Sequence, residues 1–294
     1  MHYLLLSLAV ALISAQVCFV KIYQLRAGTG IRVCLVFVLL TGAVSALVFA
    51  CANGFHIAVS AFSLLLALPL ALCVSFNNAL GIRMLGRGDL ATYTRFIMLG
   101  NMLLPFAYGA LVLHESVGIL RLAALGILVF SLFLPFLGSE NARKRKGFDL
   151  VLYFLAFFAY GFVGVISKAH QIDARGVDAG SFLFFTFLFS ALGAAVLLLL
   201  LRKGAAKPLP PTRFPRKTAM FAASVGFSAV SGLAFWCELV GAEKVSASLQ
   251  YPLVTGGTIL FSALLGSLLF HEKQGARGWV EIGLAFAATL LFLF

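Results

Sequence analysis

Apolar residues run along this chain in long blocks, broken at intervals by short clusters of charge, Gly, Pro or Asn. The longest block, Val33 to Ile82, holds 50 residues without a single Asp, Glu, Lys or Arg. A folded surface facing water needs charge, so a soluble domain rarely contains such a run. A bilayer core asks for about 20 apolar residues per helix. The block therefore reads as two membrane spans joined by a turn at Asn53-Gly54-Phe55-His56, where Asn and Gly tolerate left-handed backbone. The same pattern divides the whole chain into ten apolar segments: 2–22, 31–52, 56–82, 90–113, 117–137, 149–169, 179–201, 217–238, 245–270 and 275–294. At a rise of about 1.5 Å per residue, most are long enough to cross about 30 Å of hydrocarbon. The tenth is the weakest, because Arg277 and Glu281 crowd its start. All must be helices. Open strands leave backbone groups unsatisfied in lipid, and the segments lack the alternation of an outer-membrane barrel. The predicted fold is an all-α integral membrane protein of ten transmembrane helices.

The gaps between segments carry the next layer of information. Odd-numbered gaps and their flanks hold 18 of the 22 Lys and Arg residues, and even-numbered gaps hold 4. Cytoplasmic gaps are the basic ones, so gaps 1, 3, 5, 7 and 9 are expected inside and both termini outside. Gap 5 contains Arg143-Lys144-Arg145-Lys146, and gap 7 the proline cluster Pro208, Pro210, Pro211 and Pro215. Gap 5 splits the chain into a first five-helix unit (1–138), a basic cytoplasmic linker (139–148) and a second five-helix unit (149–294). Five is odd, so the second unit runs through the membrane in the opposite sense to the first.

Halves of opposite sense invite a search for an inverted repeat. Lys21-Ile22-Tyr23-Gln24-Leu25 lines up with Lys168-Ala169-His170-Gln171-Ile172. Gly100, Gly109, Leu111, His114 and Glu115 align at one constant offset with Gly257, Gly266, Leu268, His271 and Glu272. Two matches in the right order point to duplication, and hence to two inverted five-helix repeats.

Composition sharpens this picture without changing it. The chain is 62% apolar and 11% charged, against about 25% charged in ordinary soluble domains. A net charge of +12 raises the question of nucleic acid. The cations sit in gaps, with no basic stripe interleaved with aromatics, so no nucleic-acid partner is expected. Cys18, Cys34, Cys51, Cys73 and Cys237 all lie in apolar stretches and form no CxxC pair. They read as small apolar residues, not as metal ligands or a disulfide framework. Residues 1–20 lack a basic n-region and read as a first membrane helix rather than a signal peptide.

Three elements of the ninth segment carry a family resemblance. They are Gln250-Tyr251-Pro252-Leu253-Val254, the small-residue run Ser262-Ala263-Leu264-Leu265-Gly266, and the closing Phe270-His271-Glu272. With the weaker copy from Gly100 through Glu115, and with Lys21 and Lys168 late in the first segment of each half, the chain resembles the ten-helix EamA type of the drug/metabolite transporter (DMT) superfamily. The resemblance implies two inverted halves around a central solute cavity, and export or uptake of amino acids, nucleotides, sugars, drugs or other small metabolites. Two departures stand out. Ten-helix members are usually drawn with both termini in the cytoplasm, the reverse of the charge bias here. The single acidic residue in the first helix of the related small multidrug exporters is absent, which argues against simple proton/cation antiport.

Ionisable and polar groups at bilayer depth are the candidates for chemistry. Lys21 and Lys168 either snorkel to opposite interfaces or form a pseudo-symmetric pair of cations at two mouths of one cavity. Arg95 is either an interfacial snorkel or an anchor for a solute or phosphate. Glu238, beside Trp236, is either a proton-linked carboxylate or an interfacial residue paired with a cation. Glu115 and Glu272 each precede a new helix and are expected to cap or polarise its start. Asn101 and Thr258 occupy equivalent repeat positions at mid-helix, where a polar group must bond another helix or a solute. Tyr160, Gln250, Tyr251, Thr255, Asn77 and Asn78 line the same space or bond neighbouring helices. The expected substrate-binding set is Asn101, Thr258, Tyr160, Gln250, Tyr251, Asn78, Arg95 and Trp236, with Glu238, Lys21 and Lys168 as coupling candidates.

Enzyme signatures fail. The two His-Glu pairs lack the second His of HExxH, and no Gly-rich phosphate loop carries the Lys-Ser or Lys-Thr of an ATPase. No carboxylate cluster suits a magnesium-dependent membrane transferase. No metal or other cofactor is expected, and uphill movement would need an ion or counter-solute. The resulting expectation is a multi-pass secondary transporter of a bacterial cytoplasmic (inner) membrane. It exports a small organic solute, has the solute and the lipid bilayer as partners and no nucleic acid, and exists as a monomer or weak homodimer. The rival readings are a membrane-embedded enzyme and a non-transporting scaffold or sensor.

Overall fold

The computed structural model describes the backbone of residues 2–114, 118–134, 147–203, 214–242, 247–273 and 275–291. Among the described residues there are ten α-helices and no strands. They are α1 (His2–Ala27), α2 (Ile31–Ala52), α3 (Ala61–Leu85), α4 (Leu90–Leu111), α5 (Ile119–Phe133), α6 (Gly147–Ile172), α7 (Ala179–Lys203), α8 (Phe214–Ala242), α9 (Ala247–Phe270) and α10 (Ala276–Leu291). Each falls on one of the ten apolar segments. Seven are long and apolar enough to span a bilayer, namely α1, α2, α3, α6, α7, α8 and α9. The described parts of α5 and α10 are apolar but only 15 and 16 residues long. α4 has the length, at 22 residues, but Arg95 and Asn101 dilute its apolar character. The protein is an all-α integral membrane protein.

Turn chemistry sets the boundaries. Gly28, at φ 88°, ends α1 with its amide donating to the Gln24 carbonyl at 2.8 Å. Left-handed backbone at Gly54 and Phe55 (φ 59° and 61°) reverses the chain after α2, where the Asn-Gly pair predicts it. α3 begins at residue 61, later than the apolar pattern suggests. Ser60 is its N-cap, accepting from the Ser63 amide at 3.1 Å, and this leaves residues 56–60 as a non-helical lead-in. Asp89 caps α4 in the same way through the Thr92 amide at 2.7 Å.

The chain forms two compact units, and each draws on both sequence halves. The first comprises Met1–Cys18, Gly88–Val165 and Leu233–Phe294. Within it α4 packs on α9, α9 on α10, and α10 on α5. Glycines let the backbones meet. A Cβ on Gly100 would overlap the Phe157 carbonyl of α6, and Gly161 faces the Gly100 carbonyl in return. The second unit comprises Phe19–Arg87 and Ile166–Gly232. Its centre is the pair α2 and α7. A Cβ on Gly42 would stand 2.9 Å from the Ala191 amide nitrogen and 3.0 Å from the Phe187 carbonyl oxygen. Ala46 and Ala50 continue the small-residue row one and two turns on, both buried. α3 packs on α7, while α8 meets α2 through a Ser228 hydroxyl that donates to the Thr41 carbonyl at 3.2 Å.

Several features recur at the spacing of the two sequence matches. The boundary between units cuts α1 after Cys18 and α6 after Val165, the same interval that separates Lys21 from Lys168. His114 and His271, aligned in the second match, both adopt left-handed backbone, at φ 54° and 53°.

Candidate transport site

Lys21 is buried, and its Nζ donates to the carbonyl of Leu85, the last residue of α3, at 2.9 Å. The ammonium completes a helix C-terminus, a partner that neither sequence reading of Lys21 includes. It belongs to one end of the second unit, where Arg32 also donates to the Leu201 carbonyl of α7 at 2.9 Å and Gly86 lies against Thr29 and Gln24. Gaps 1 and 3 and the end of α7, all odd-numbered in the charge pattern, thus meet at this end.

The even-numbered gaps of the same unit meet in a second cluster. Asn53 donates from Nδ2 to Asp178 at 3.0 Å and to the Ser181 hydroxyl at 3.2 Å, and the Ala58 amide donates to the same hydroxyl at 3.0 Å. The Ser60 hydroxyl donates its one proton to the Arg175 carbonyl at 2.9 Å, and its oxygen lies 2.9 Å from Ser63 Oγ. Ser63 Oγ also accepts from the Val177 amide at 3.1 Å and lies 2.8 Å from His170 Nε2. The buried His170 ring stacks on Phe182, with centroids 3.7 Å apart and planes 8° apart. Arg175 grips Asp173 with two side-chain bonds of 2.7 and 2.9 Å and places its guanidinium 4.5 Å from the centre of the Phe62 ring. Those bonds hold the Asp173 carboxyl down at about 2. For Asp178 burial pushes upward. Hydrogen bonds from Ser181, Asn53 and the Gly180 amide outweigh it and leave the carboxyl below its ordinary value.

In the first unit, Arg95 is only 1% exposed and donates from Nη1 to Glu281 of α10 at 2.9 Å. Neither sequence reading of Arg95, snorkel or solute anchor, includes this partner. Glu281 was legible only as a charge crowding the start of the tenth segment. Arg95 Nε has no hydrogen-bond partner among the described residues. Glu272 caps the start of α4, an element the sequence reading did not name for it. Its Oε2 accepts from the amide of Leu90, the first residue of α4, at 2.8 Å. Gly266 makes room for this, since a Cβ there would stand 2.8 Å from the same carboxylate oxygen. Glu115 lies outside the described residues.

Asn101 and Thr258 both fall in the first unit, on the packed helices α4 and α9. Asn101 presents Oδ1 to Gly164 of α6. Thr258 is fully buried, and its Oγ1 has no hydrogen-bond partner among the described residues. Thr94 Oγ1 and Ser45 Oγ, both buried, share that state. Thr41, Thr186 and Thr289 all return their hydroxyls to a carbonyl three or four residues earlier, at 2.7 to 2.9 Å. Tyr160 and the half-buried Lys168 belong to α6, on opposite sides of its unit boundary, and both have partners. Asn78, half-buried on α3, belongs to the second unit, beside the buried Asn77. The side chains of Trp236, Glu238, Gln250 and Tyr251 lie outside the described residues. Among the described residues no group of three or more His, Cys, Asp or Glu is placed to hold a metal.

A profile of the EamA-like transporter family matches residues 148–294, the whole of the second five-helix segment set. The chain belongs to the EamA-like transporter family. Membership in this DMT-superfamily group points to a multi-pass membrane transporter of small solutes. The EamA match includes α9, whose residues carried the resemblance.

Proposed function

We propose that this EamA-like protein is a secondary transporter that exports a small organic solute across a bacterial inner membrane by alternating access between two inverted repeats. The family match over residues 148–294 carries the reading. The two polar clusters of the second unit support the mechanism. One ties together odd-gap elements and the other even-gap elements, so each end has bonds that can break while the other end holds. Alternating access requires two such ends.

Thr258 is the favoured solute contact. A buried hydroxyl that forgoes both its own helix and its neighbours is costly in lipid, and a solute polar group would offset that cost. Asn101, at the equivalent repeat position, supplies the second contact. Tyr160, Gln250, Tyr251 and Trp236 are the further contacts proposed from sequence for the same site, and Asn78 is a separate candidate within the second unit. Arg95 joins it only if its bond to Glu281 opens. Glu238 and Lys168 remain the coupling groups proposed from sequence, whereas Lys21 is better explained by its bond to Leu85.

The test starts with a thermal-shift screen of metabolites on the purified protein, followed by vesicle transport of any hit. Thr258→Val should cut transport at least about tenfold without lowering the melting temperature, because the lost hydroxyl has no hydrogen-bond partner among the described residues. Asn101→Leu should reduce transport with expression and melting temperature nearly unchanged. Full transport per folded molecule in both variants would remove the site from this position. Chemical alteration of a bound metabolite would favour an enzyme instead.

A further inference from the structure

We propose that the odd-gap end of the second unit is a docking surface for the headgroups of anionic phospholipids. The proposal does not depend on the transport reading. It starts from the distribution of charge. Residues 19–87 carry five cations, Lys21, Arg26, Arg32, Arg83 and Arg87, and no Asp or Glu. Residues 179–232 carry six more, all between 202 and 217, again with no Asp or Glu; the side chains of those six lie outside the described residues. The unit's two carboxylates, Asp173 and Asp178, both belong to the even-gap cluster. Asp89, just beyond the unit in sequence, accepts from the Thr92 amide and hydroxyl as the cap of α4.

Contacts bring the first five cations to one place. Lys21 reaches the Leu85 carbonyl of α3, Arg32 the Leu201 carbonyl of α7, and Arg83 the Cys34 thiol of α2. Gly86 lies against Thr29 and Gln24, which sets Arg87 beside the turn that Arg26 enters at the end of α1. A carbonyl satisfies the donors of Lys or Arg but leaves the charge standing, so these bonds organise the patch without neutralising it. Like charges so placed repel, and an anion from outside relieves that repulsion. Arg26 and Arg87 are exposed, Arg32 and Arg83 half-buried, and Lys21 buried. The exposed pair therefore makes the first contacts.

The border of the patch selects a lipid over a soluble anion. Leu25 and Ile31, next in sequence to Arg26 and Arg32, are exposed, and so are Leu199 and Leu200 beside the carbonyl that Arg32 holds. Cations edged by exposed apolar side chains match the boundary between headgroups and acyl chains. A phospholipid meets both, its phosphate on the guanidinium forks and its chains on the leucines. A free phosphate leaves the apolar border in water. The even-gap end of the same unit is the internal contrast. It also exposes apolar side chains, at Phe55 and Val59, but there Lys168 and Arg175 are matched in number by Asp173 and Asp178. One end attracts anionic headgroups, and the other offers no net charge to hold them.

Tryptophan quenching in bilayers tests this on the full chain. Trp236 and Trp279 are replaced by Phe, and one tryptophan is returned by Leu25→Trp at the odd-gap end or by Val59→Trp at the even-gap end. Vesicles of phosphatidylcholine carry a fixed fraction of chain-brominated phosphatidylglycerol or of chain-brominated phosphatidylcholine. With Leu25→Trp, the brominated phosphatidylglycerol should quench more, with an apparent preference of about fivefold for each cation engaged. With Val59→Trp, the two lipids should quench equally. Adding Arg26→Gln and Arg87→Gln to Leu25→Trp should remove most of the preference, and so should high salt, which shortens the range of each charge. Should that double substitution prevent folding, either one alone should lower the preference. Inorganic phosphate should change the preference no more than chloride of the same ionic strength. Equal quenching with Leu25→Trp, the same preference with Val59→Trp, or a preference that survives the loss of Arg26 and Arg87 overturns the docking surface. A preference lost to phosphate but not to chloride assigns the cations to a soluble phosphate compound and overturns the lipid.

Discussion

A guanidinium in the interior of a membrane protein must be matched by an anion, and the bond from Arg95 to Glu281 meets that need. Its value is asymmetric. Removing one partner strands a buried charge, whereas replacing both with apolar side chains removes the desolvation cost as well. Arg95→Met or Glu281→Leu alone should destabilise by about 3–5 kcal/mol. The double variant should recover most of that loss in thermal melts of detergent-solubilised protein. Simple additivity of the two losses would show that the pair is not the source. Arg95 was visible in the sequence as a charge at depth, but its partner was not, because α10 is 186 residues away along the chain. His170 was missed for a different reason. It appeared only as one letter of a repeat match, where nothing tells a buried ring on Phe182 from a polar helix end. The mismatch with Tyr23 at that position was the available signal.

At the scale of elements, small residues decide which helices touch. Gly42 faces α7 backbone directly, so an added side chain meets atoms that cannot swing aside. Gly42→Leu should lower the melting temperature strongly, at a cost of about 1–3 kcal/mol for an overpacked contact. Leucine at Gly193 of the same α7, where a Cβ meets nothing within 4 Å, should be nearly neutral. Equal effects at the two sites would remove the α2–α7 contact from its place at the centre of the second unit. Helix number and order were legible because lipid demands long apolar blocks and tolerates few charges. Helix starts were less so. Ser60 and Asp89 mark real caps, but an apolar lead-in such as residues 56–60 looks helical by hydropathy alone. The redirection of Glu272 to α4 was beyond sequence, since a carboxylate just before a helix points in thought to that helix.

Across the whole molecule, charge and bonding sort the gaps in the same way. In the second unit, Lys21 and Arg32 bind at the end where odd gaps meet, while Asn53, Ser60 and Asp178 bind at the end where even gaps meet. Alternation of the chain from end to end requires this grouping but does not say which end faces the cytoplasm. Charge does. The odd gaps and their flanks hold 18 of 22 basic residues, and the positive-inside bias acts through such short loops. Both termini should therefore lie outside, against the orientation usually drawn for ten-helix relatives. A C-terminal fluorescent reporter that matures only in the cytoplasm should stay dark, and an alkaline phosphatase fused at the same point should be active. A cysteine placed at Ala174, in an even gap, should react with an impermeant maleimide added to intact cells, while one at Gly86, in an odd gap, should not. Bright C-terminal fluorescence with labelling at residue 86 would reverse the assignment.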